Sequence, residues 1–345
     1  SILIPTFNNL EYLKLCVKSL KKNSYFNNQI ICHVNIGEDG TIDFLKKNNI
    51  EYSYTAYNSG ICEGINKASK LTKYDYYLYA HDDFYFCPKW DYILFNEVKK
   101  IGHNNFYLSG TMMNQGQIQF DCGNTPSEFN ENKFLTEYKN YNFYNFQGST
   151  WAPTLIHKEI WNTVNGFSEE FFPGTGSDPD FNMKLWNNGI RIFKGLNDCK
   201  VYHFGSIVLR DKINRLNKNN KFGSRGGKIF LLKWGISIKF FKKFYLRSNS
   251  IYNGPAYWFA VHGDQYSAGA TQGPQGFQGI TGWQGSTGAQ GEPGTFSGKG
   301  DTGSTGAQGE TGNTGPQGPQ GPVGPRGLAG AVNVVATDTL APGSS

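Results

Sequence analysis

Three groups of residues in this chain have the types and spacing that chemistry needs. The first is His81-Asp82-Asp83, directly after an apolar strand-like run. Adjacent carboxylates repel, and keeping both charged in a partly buried place demands a cation. A divalent ion with oxygen ligands, Mg²⁺ or Mn²⁺, shared with the phosphates of a substrate, would meet that demand. The alternative is an acid pair that caps a loop. The second group is Gly174-Thr175-Gly176-Ser177-Asp178-Pro179-Asp180, a glycine-rich turn that delivers two acids to the start of a helix. An acid held there on a rigid element can serve as a general base. The alternative is that Asp178 caps the helix and Asp180 complements its dipole. The third is His203, in Val201-Tyr202-His203-Phe204. A lone histidine near a strand end is more often structural, but here it would complete a metal site with Asp83.

Hydrophobic periodicity predicts the elements that hold these groups. Ile2-Leu3-Ile4 reads as a short buried strand ended by Pro5-Thr6, and Leu10, Leu13, Val17 and Leu20 recur at helical spacing. Residues 29–36 read as a second strand, and Glu38-Asp39-Gly40-Thr41 as a turn opening a helix with Ile42 and Leu45. Residues 50–56 form a third strand, Ile61, Ile65, Ala68 and Leu71 line a helix, and residues 76–80 form a fourth strand that ends at His81. This alternation predicts an α/β fold with a mostly parallel sheet flanked by helices. Ligands bind such sheets outside the carboxyl ends of the strands, where Thr6, Asn35, Asp82 and Asp83 fall. Beyond, Trp90, Ile93, Leu94 and Val98 predict a helix, residues 106–110 a strand, residues 180–188 a helix stopped by Gly189, and residues 190–193 a strand. Residues 228–246 read as one basic amphipathic helix or two, while residues 114–144 carry few regular signals.

Taken together and in order, these pieces resemble the inverting glycosyltransferases of family 2, which have the GT-A fold. Ile2-Leu3-Ile4-Pro5-Thr6-Phe7-Asn8 is similar to the family's opening strand and loop. Asn58-Ser59-Gly60 with Gly64-Ile65-Asn66-Lys67-Ala68 resembles its segment before the metal motif. Tyr79-Ala80-His81-Asp82-Asp83 resembles its acidic metal motif, and Val164-Asn165-Gly166-Phe167-Ser168-Glu169-Glu170 its acceptor-side segment. Ser177-Asp178-Pro179-Asp180 is similar to the motif that carries its base.

The resemblance spans about residues 1–245. It implies a GT-A nucleotide-diphospho-sugar transferase over residues 1–210, with residues 211–262 as its basic, helical extension. By position, Asp83 would bind the metal with His203, Asp82 the nucleotide-sugar side, and Pro5, Thr6, Asn35 and Asn58 the nucleotide. Asp178 would be the base, with Gly166, Phe167 and Asp180 on the acceptor side. Three residues depart from the family pattern: Asn35 and Ser177 replace acids, and His81 replaces the first acid of the metal motif. The implied reaction is a hexosyl transfer with inversion, from a nucleotide-diphosphate sugar to a hydroxyl of a glycan or protein, dependent on Mn²⁺ or Mg²⁺. Trp151, Trp161 and Phe172 are candidates to stack on sugar faces, core packing being their other use. The competing reading is a sugar-binding or fibre protein whose transferase domain is degenerate.

Composition bounds the partners. The net charge of +6 over 345 residues is modest, with the excess between Arg210 and Arg247. Such a stretch suits phosphorylated substrates or peripheral contact with an anionic membrane, and no nucleic-acid-binding motif accompanies it. The six cysteines include no Cys-x-x-Cys pair, which fits buried thiols in a reducing compartment. Neither a signal peptide nor a membrane span is visible, since Lys233, Lys239, Lys242 and Lys243 interrupt the longest apolar stretch. The start without Met, directly in a strand, predicts a chain cut at both ends.

From Gly273 through Gly330 glycine returns at every third position, broken once, at Ser297. Only glycine fits the axis of three polyproline-like strands, so residues 273–332 predict a collagen-type triple helix and a homotrimer. Residues 263–272 read as a linker and residues 333–345 as the opening of another module. The repeat would serve as a trimerising stalk, or as a collagen-like acceptor with threonines such as Thr281 and Thr302 as targets.

Overall fold

The structure, a computed structural model, describes residues 1–205 and 221–257, all within one compact unit, Ser1–Ala260. The linker, repeat and terminal module expected over residues 263–345 lie outside the described residues, as do residues 211–220 and 258–262 of the expected basic extension.

A nine-stranded sheet forms the centre. Its strands are β1 (Ile2–Phe7), β2 (Ile30–Asn35), β3 (Glu51–Thr55), β4 (Tyr76–Tyr79), β5 (Phe84–Phe86), β6 (Phe106–Asn114), β7 (Phe146–Gln147), β8 (Thr154–His157) and β9 (Ile192–His203). They lie in the order β3-β2-β1-β4-β8-β6-β9-β5, with β7 paired to β9. The helices are α1 (Leu10–Asn23), α2 (Thr41–Lys47), α3 (Gly60–Ser69), α4 (Trp90–Ile101), α5 (Glu131–Glu137), α6 (Lys158–Thr163), α7 (Ser177–Asn187) and α8 (Lys221–Trp234). A further short helical stretch, Ile238–Phe240, runs into a π-helical turn, Phe241–Tyr245.

The expected α/β fold is there, and β1 to β4 are parallel as the alternation of strands and helices predicts. The sheet as a whole is mixed. β8 runs antiparallel to both β4 and β6. β5 and β7 are antiparallel to β9.

Several elements run longer than their sequence signals. β1 continues through Pro5 and Thr6 to Phe7. Leu3 accepts from the Ala80 amide, and strand alternation turns the Pro5 nitrogen to that same side, beyond the last residue of β4. No ladder bond is therefore lost to proline. The strand expected at residues 190–193 becomes the twelve-residue β9. Its register against β6 jumps from Ser109↔Gly195 to Thr111↔Lys200, so residues 196–199 bulge out, and the Thr111 hydroxyl ties Leu196 O at 2.8 Å. The bulge returns β9 to register in time to place His203 opposite Asn114.

Apolar faces match the predicted periodicity. Leu13, Cys16, Val17 and Leu20 of α1 are buried, as are Cys62, Ile65 and Ala68 of α3, whereas Leu71 lies past the end of α3 and is exposed. All six cysteines are free and buried. α8 stops before Gly235, whose φ of +71° ends a helix at little cost. Its Phe230, with Phe241, Leu246 and Ala256, is sealed in the same core as the sheet. Gln147 N donates to Ser250 O at 2.8 Å and Ser248 Oγ to Gly148 O at 3.2 Å, so this C-terminal segment is bonded to the β7 region.

Candidate active site

The carboxyl ends of β1, β2, β4 and β9 converge, and β5 builds the first half of the site. After β4 the chain bends through His81, Asp82 and Asp83 into β5, whose register sets Phe84 against His203. Phe204 N closes the pairing on Asp83 O at 3.2 Å. As a result His203 Nε2 lies 3.4 Å from Asp83 Oδ2, and His81 Nδ1 lies 3.9 Å from Asp83 Oδ1. The ligand atoms of the three residues all fall within 4.8 Å of one another.

Each ring is fixed from behind. His81 Nε2 meets the Tyr79 hydroxyl at 2.9 Å, and His203 Nδ1 meets the Gln115 carbonyl at 2.9 Å. A carbonyl only accepts, so Nδ1 of His203 carries a proton and Nε2 is the ring atom that faces Asp83. Phe84 lies flat on His81, with centroids 4.9 Å apart, and edge-on to His203 at 5.1 Å. Burial, opposed by Asp83 and reinforced by His203, brings His81 down to about 4, so the ring is neutral at ordinary pH, the form that ligates. Two ring nitrogens are thereby set around one carboxylate. Two imidazoles and a carboxylate, anchored on their outer atoms, therefore fit a divalent metal.

Asp83 joins the histidines, while Asp82 lies against the side chains of Thr6 and Asn9. Burial, then the repulsion of Asp83, raises Asp82, and Thr6 and Asn9 pull it back. His81, which sequence marked only as a departure, joins the cluster. The available signal was its place at the strand end beside two acids.

The residues expected to line a nucleotide pocket surround the neighbouring strand ends. Asn35 is 3% exposed. Its Oδ1 accepts from Ser59 N at 2.7 Å and Ser59 Oγ at 2.8 Å, and its Nδ2 donates to Thr6 O at 3.3 Å. Much of that amide is therefore engaged in joining β1, β2 and the start of α3. Asn58 Oδ1 accepts from Gly60 N at 3.0 Å and shapes the turn into α3. Pro5 is half-buried and Thr6 buried at the end of β1.

α7 builds the second half. Its N-cap is Gly176, in the left-handed region at φ +86°, and no side chain caps it. Asp178 is therefore not the cap. Its buried Oδ1 has no hydrogen-bond partner among the described residues, and burial lifts the acid to about 7 against the pull of Lys242. Lys242 sits 4.1 Å above the ring of half-exposed Trp151. Sequence reading missed Lys242 as a neighbour of Asp178, since nothing local links the basic segment to α7. Tyr79 joins the two halves. Burial pushes its phenol well above the ordinary value, and Asp178 and Asp83 both push it further.

The three residues expected on the acceptor side are committed elsewhere. Asp180 is fully buried and binds Trp234 Nε1 at 2.7 Å and Lys233 Nζ at 3.1 Å, both from α8. Phe167 stacks on Phe181 at 4.5 Å, and the Asn66 amide clamps its backbone in both directions. Gly166 has φ +57°, and a Cβ there would meet Asn66 Oδ1 at 2.4 Å. Among the expected sugar-stacking aromatics, Trp161 is buried in the core, while Trp151 and Phe172 are 36% and 41% exposed.

Residues 1–163 match the model of glycosyl transferase family 2, and residues 262–332 match the collagen triple helix repeat. Residues 1–163 thus form a region of the glycosyl transferase family 2 type, and residues 262–332 a collagen-type repeat. Solved structures similar to it include S. aureus TarS 1-349, 15% identical, covering 70% of this chain and 73% of that one with a TM-score of 0.46. The same protein in complex with UDP-GlcNAc is 13% identical, covering 70% and 74%, with a TM-score of 0.43. No curated protein matches the chain.

Proposed function

We propose that this glycosyltransferase moves a sugar from a nucleotide-diphosphate donor to an acceptor hydroxyl by a single, metal-dependent displacement with inversion. The observation that carries this is the placement of Asp178 and Asp83 about one side chain, Tyr79. Two acids are thereby brought near one buried phenol, which supports a base and a metal-binding acid in one site.

In the forward step the acceptor hydroxyl gives its proton to Asp178 as its oxygen bonds to the anomeric carbon. The bond from that carbon to the donor phosphate breaks, and the electron pair leaves with the nucleoside diphosphate. Asp178 suits the task because its acid, at about 7, is half ionised near neutral pH and no described residue hydrogen-bonds Oδ1. Thr6, Asn58 and Asp82 line the donor side, and Trp151 offers a face for an acceptor sugar. Held by His81, Asp83 and His203, a divalent cation would supply positive charge beside the leaving diphosphate.

A screen for nucleoside diphosphate release tests the reading. Incubating the intact chain with UDP- and GDP-sugars and Mn²⁺ or Mg²⁺ is expected to give release from one donor, lost in Asp83→Ala and Asp178→Asn. Donor binding with no turnover in any pairing, unchanged by Asp178→Asn, would return the chain to a sugar-binding module. We also propose that the repeat of residues 262–332 assembles the enzyme as a homotrimer, on the strength of its glycine period.

A further inference from the structure

We propose that His81 turns the metal site into a two-imidazole, one-carboxylate centre that selects first-row transition cations over Mg²⁺. This rests on the metal-dependent reading above and goes past it, since that reading leaves the ion open between Mn²⁺ and Mg²⁺.

Three observations carry it. The first is spacing. Ligands of one cation bound at about 2.1 Å lie roughly 3.0 to 3.4 Å apart. Asp83 Oδ2 and His203 Nε2 are 3.4 Å apart, Asp83 Oδ1 and His81 Nδ1 3.9 Å, and the ligand atoms all lie within 4.8 Å of one another, so closure on an ion needs side-chain shifts on the order of an ångström. The second is aim. Tyr79 and the Gln115 carbonyl hold the far nitrogens of the two rings, which leaves Nδ1 of His81 and Nε2 of His203 toward Asp83. Ring rotation that would withdraw a nitrogen is opposed by Phe84, packed on both imidazoles. The third is the direction taken by Asp82. Its carboxylate lies toward Thr6 and Asn9, so the oxygen donor that would favour a hard ion is not in the cluster.

The consequence follows from donor softness. Mg²⁺ takes oxygen ligands and sheds water reluctantly, so two nitrogens out of three donors suit it poorly. Imidazole suits the first-row metals, whose affinity for a given site rises from Mn²⁺ through Co²⁺. The same site with an acid at position 81 would lean back toward oxygen-seeking ions. The histidine is thus a selectivity residue for the metal.

The test is metal binding by the chelator-treated intact chain, with no donor sugar present. Calorimetry is expected to show Mn²⁺ and Co²⁺ binding at least about tenfold more tightly than Mg²⁺. Electron spin echo modulation on bound Mn²⁺ is expected to show two imidazole nitrogens in the native protein and one in His81→Ala. His81→Asp is expected to lose that nitrogen and narrow the gap between Mn²⁺ and Mg²⁺, which separates a ligand's role from a folding defect. Equal affinities for Mg²⁺ and Mn²⁺, or a nitrogen count unchanged in His81→Ala, would overturn the proposal. Selective metal binding without turnover of any sugar nucleotide would instead sink the transferase reading and leave this inference standing.

Discussion

At the scale of the residue, Asp178 sets the pH behaviour. Among the described residues, Cys62 of α3, Tyr79 of β4, Tyr107 of β6 and Lys242 are the titratable groups that interact with it. Burial drives the thiol and both phenols upward, so all three stay neutral near pH 7, and among the described residues Lys242 pulls the acid down. Transfer should therefore rise with pH with a midpoint near 7, as the carboxylate forms. Lys242→Met should move that midpoint upward, costing more activity at pH 6 than at pH 9, which pH profiles of kcat will show. Asp178→Asn should cost about 10² to 10⁴ in kcat. It should also change stability in a defined sense. The acid's folded value lies above its ordinary value of 3.8, so its favourable contribution is complete below 3.8 and is lost as pH rises through about 7. The Asn variant should melt with the native protein at acid pH and above it at pH 8, a gap that scanning calorimetry reads. The motif around Asp178 was legible because a glycine turn and two acids are local in sequence. Lys242 was not, because it reaches Asp178 only through the packing of the C-terminal segment.

At the scale of the element, α8 is the brace for α7. Lys233 donates to Ser168 Oγ at 2.8 Å and Glu170 Oε1 at 2.7 Å, and lies 3.1 Å from Asp180 Oδ1, which also takes the Trp234 indole N–H. Asp180 is 0% exposed, so removing its cation leaves a buried charge poorly paired. Lys233→Ala is expected to destabilise the fold by roughly 3 kcal/mol in urea titrations. Amide exchange should speed up in α7 before it does in β1 and β2, because the lost contacts anchor that helix. Equal exchange in all three elements would mean that α8 merely covers the surface. This dependence bears on what the sequence can show. β1 to β4 were legible because each is a buried apolar run followed by a helix with a clear apolar face. β5 and β8, with three and four residues, are too short to display a period, and both are antiparallel insertions fixed by distant partners. α5 was missed because only Phe134 of its seven residues is buried. Asp180 looked like a site acid because its neighbour α8 arrives from far along the chain.

At the scale of the whole molecule, the glycine period makes the sharpest demand. A triple helix admits no side chain at its axis, and Ser297 stands where glycine is due, near the middle of the run from Gly273 to Gly330. Proline does little to offset this. Pro274, Pro316, Pro319, Pro322 and Pro325 fill X positions and only Pro293 a Y position, so the segment around Ser297 draws little stiffness from its neighbours. The intact chain is expected to sediment as a trimer and a chain ending at residue 260 as a smaller species. Circular dichroism of the intact chain should show a collagen-type transition distinct from the unfolding of the transferase domain. Ser297→Gly restores an axial glycine at that slot but leaves Gly298 in an X position, so it should raise that transition by several degrees. Gly312→Ser, placed in the regular part of the run, should lower it by at least as much. Both substitutions should leave sugar-nucleotide turnover per active site unchanged, since among the described residues those about Asp83 and Asp178 lie within Ser1–Ala260. A transition that ignores both substitutions would mean that the period does not specify a triple helix, and the trimer would then have to be sought in another surface.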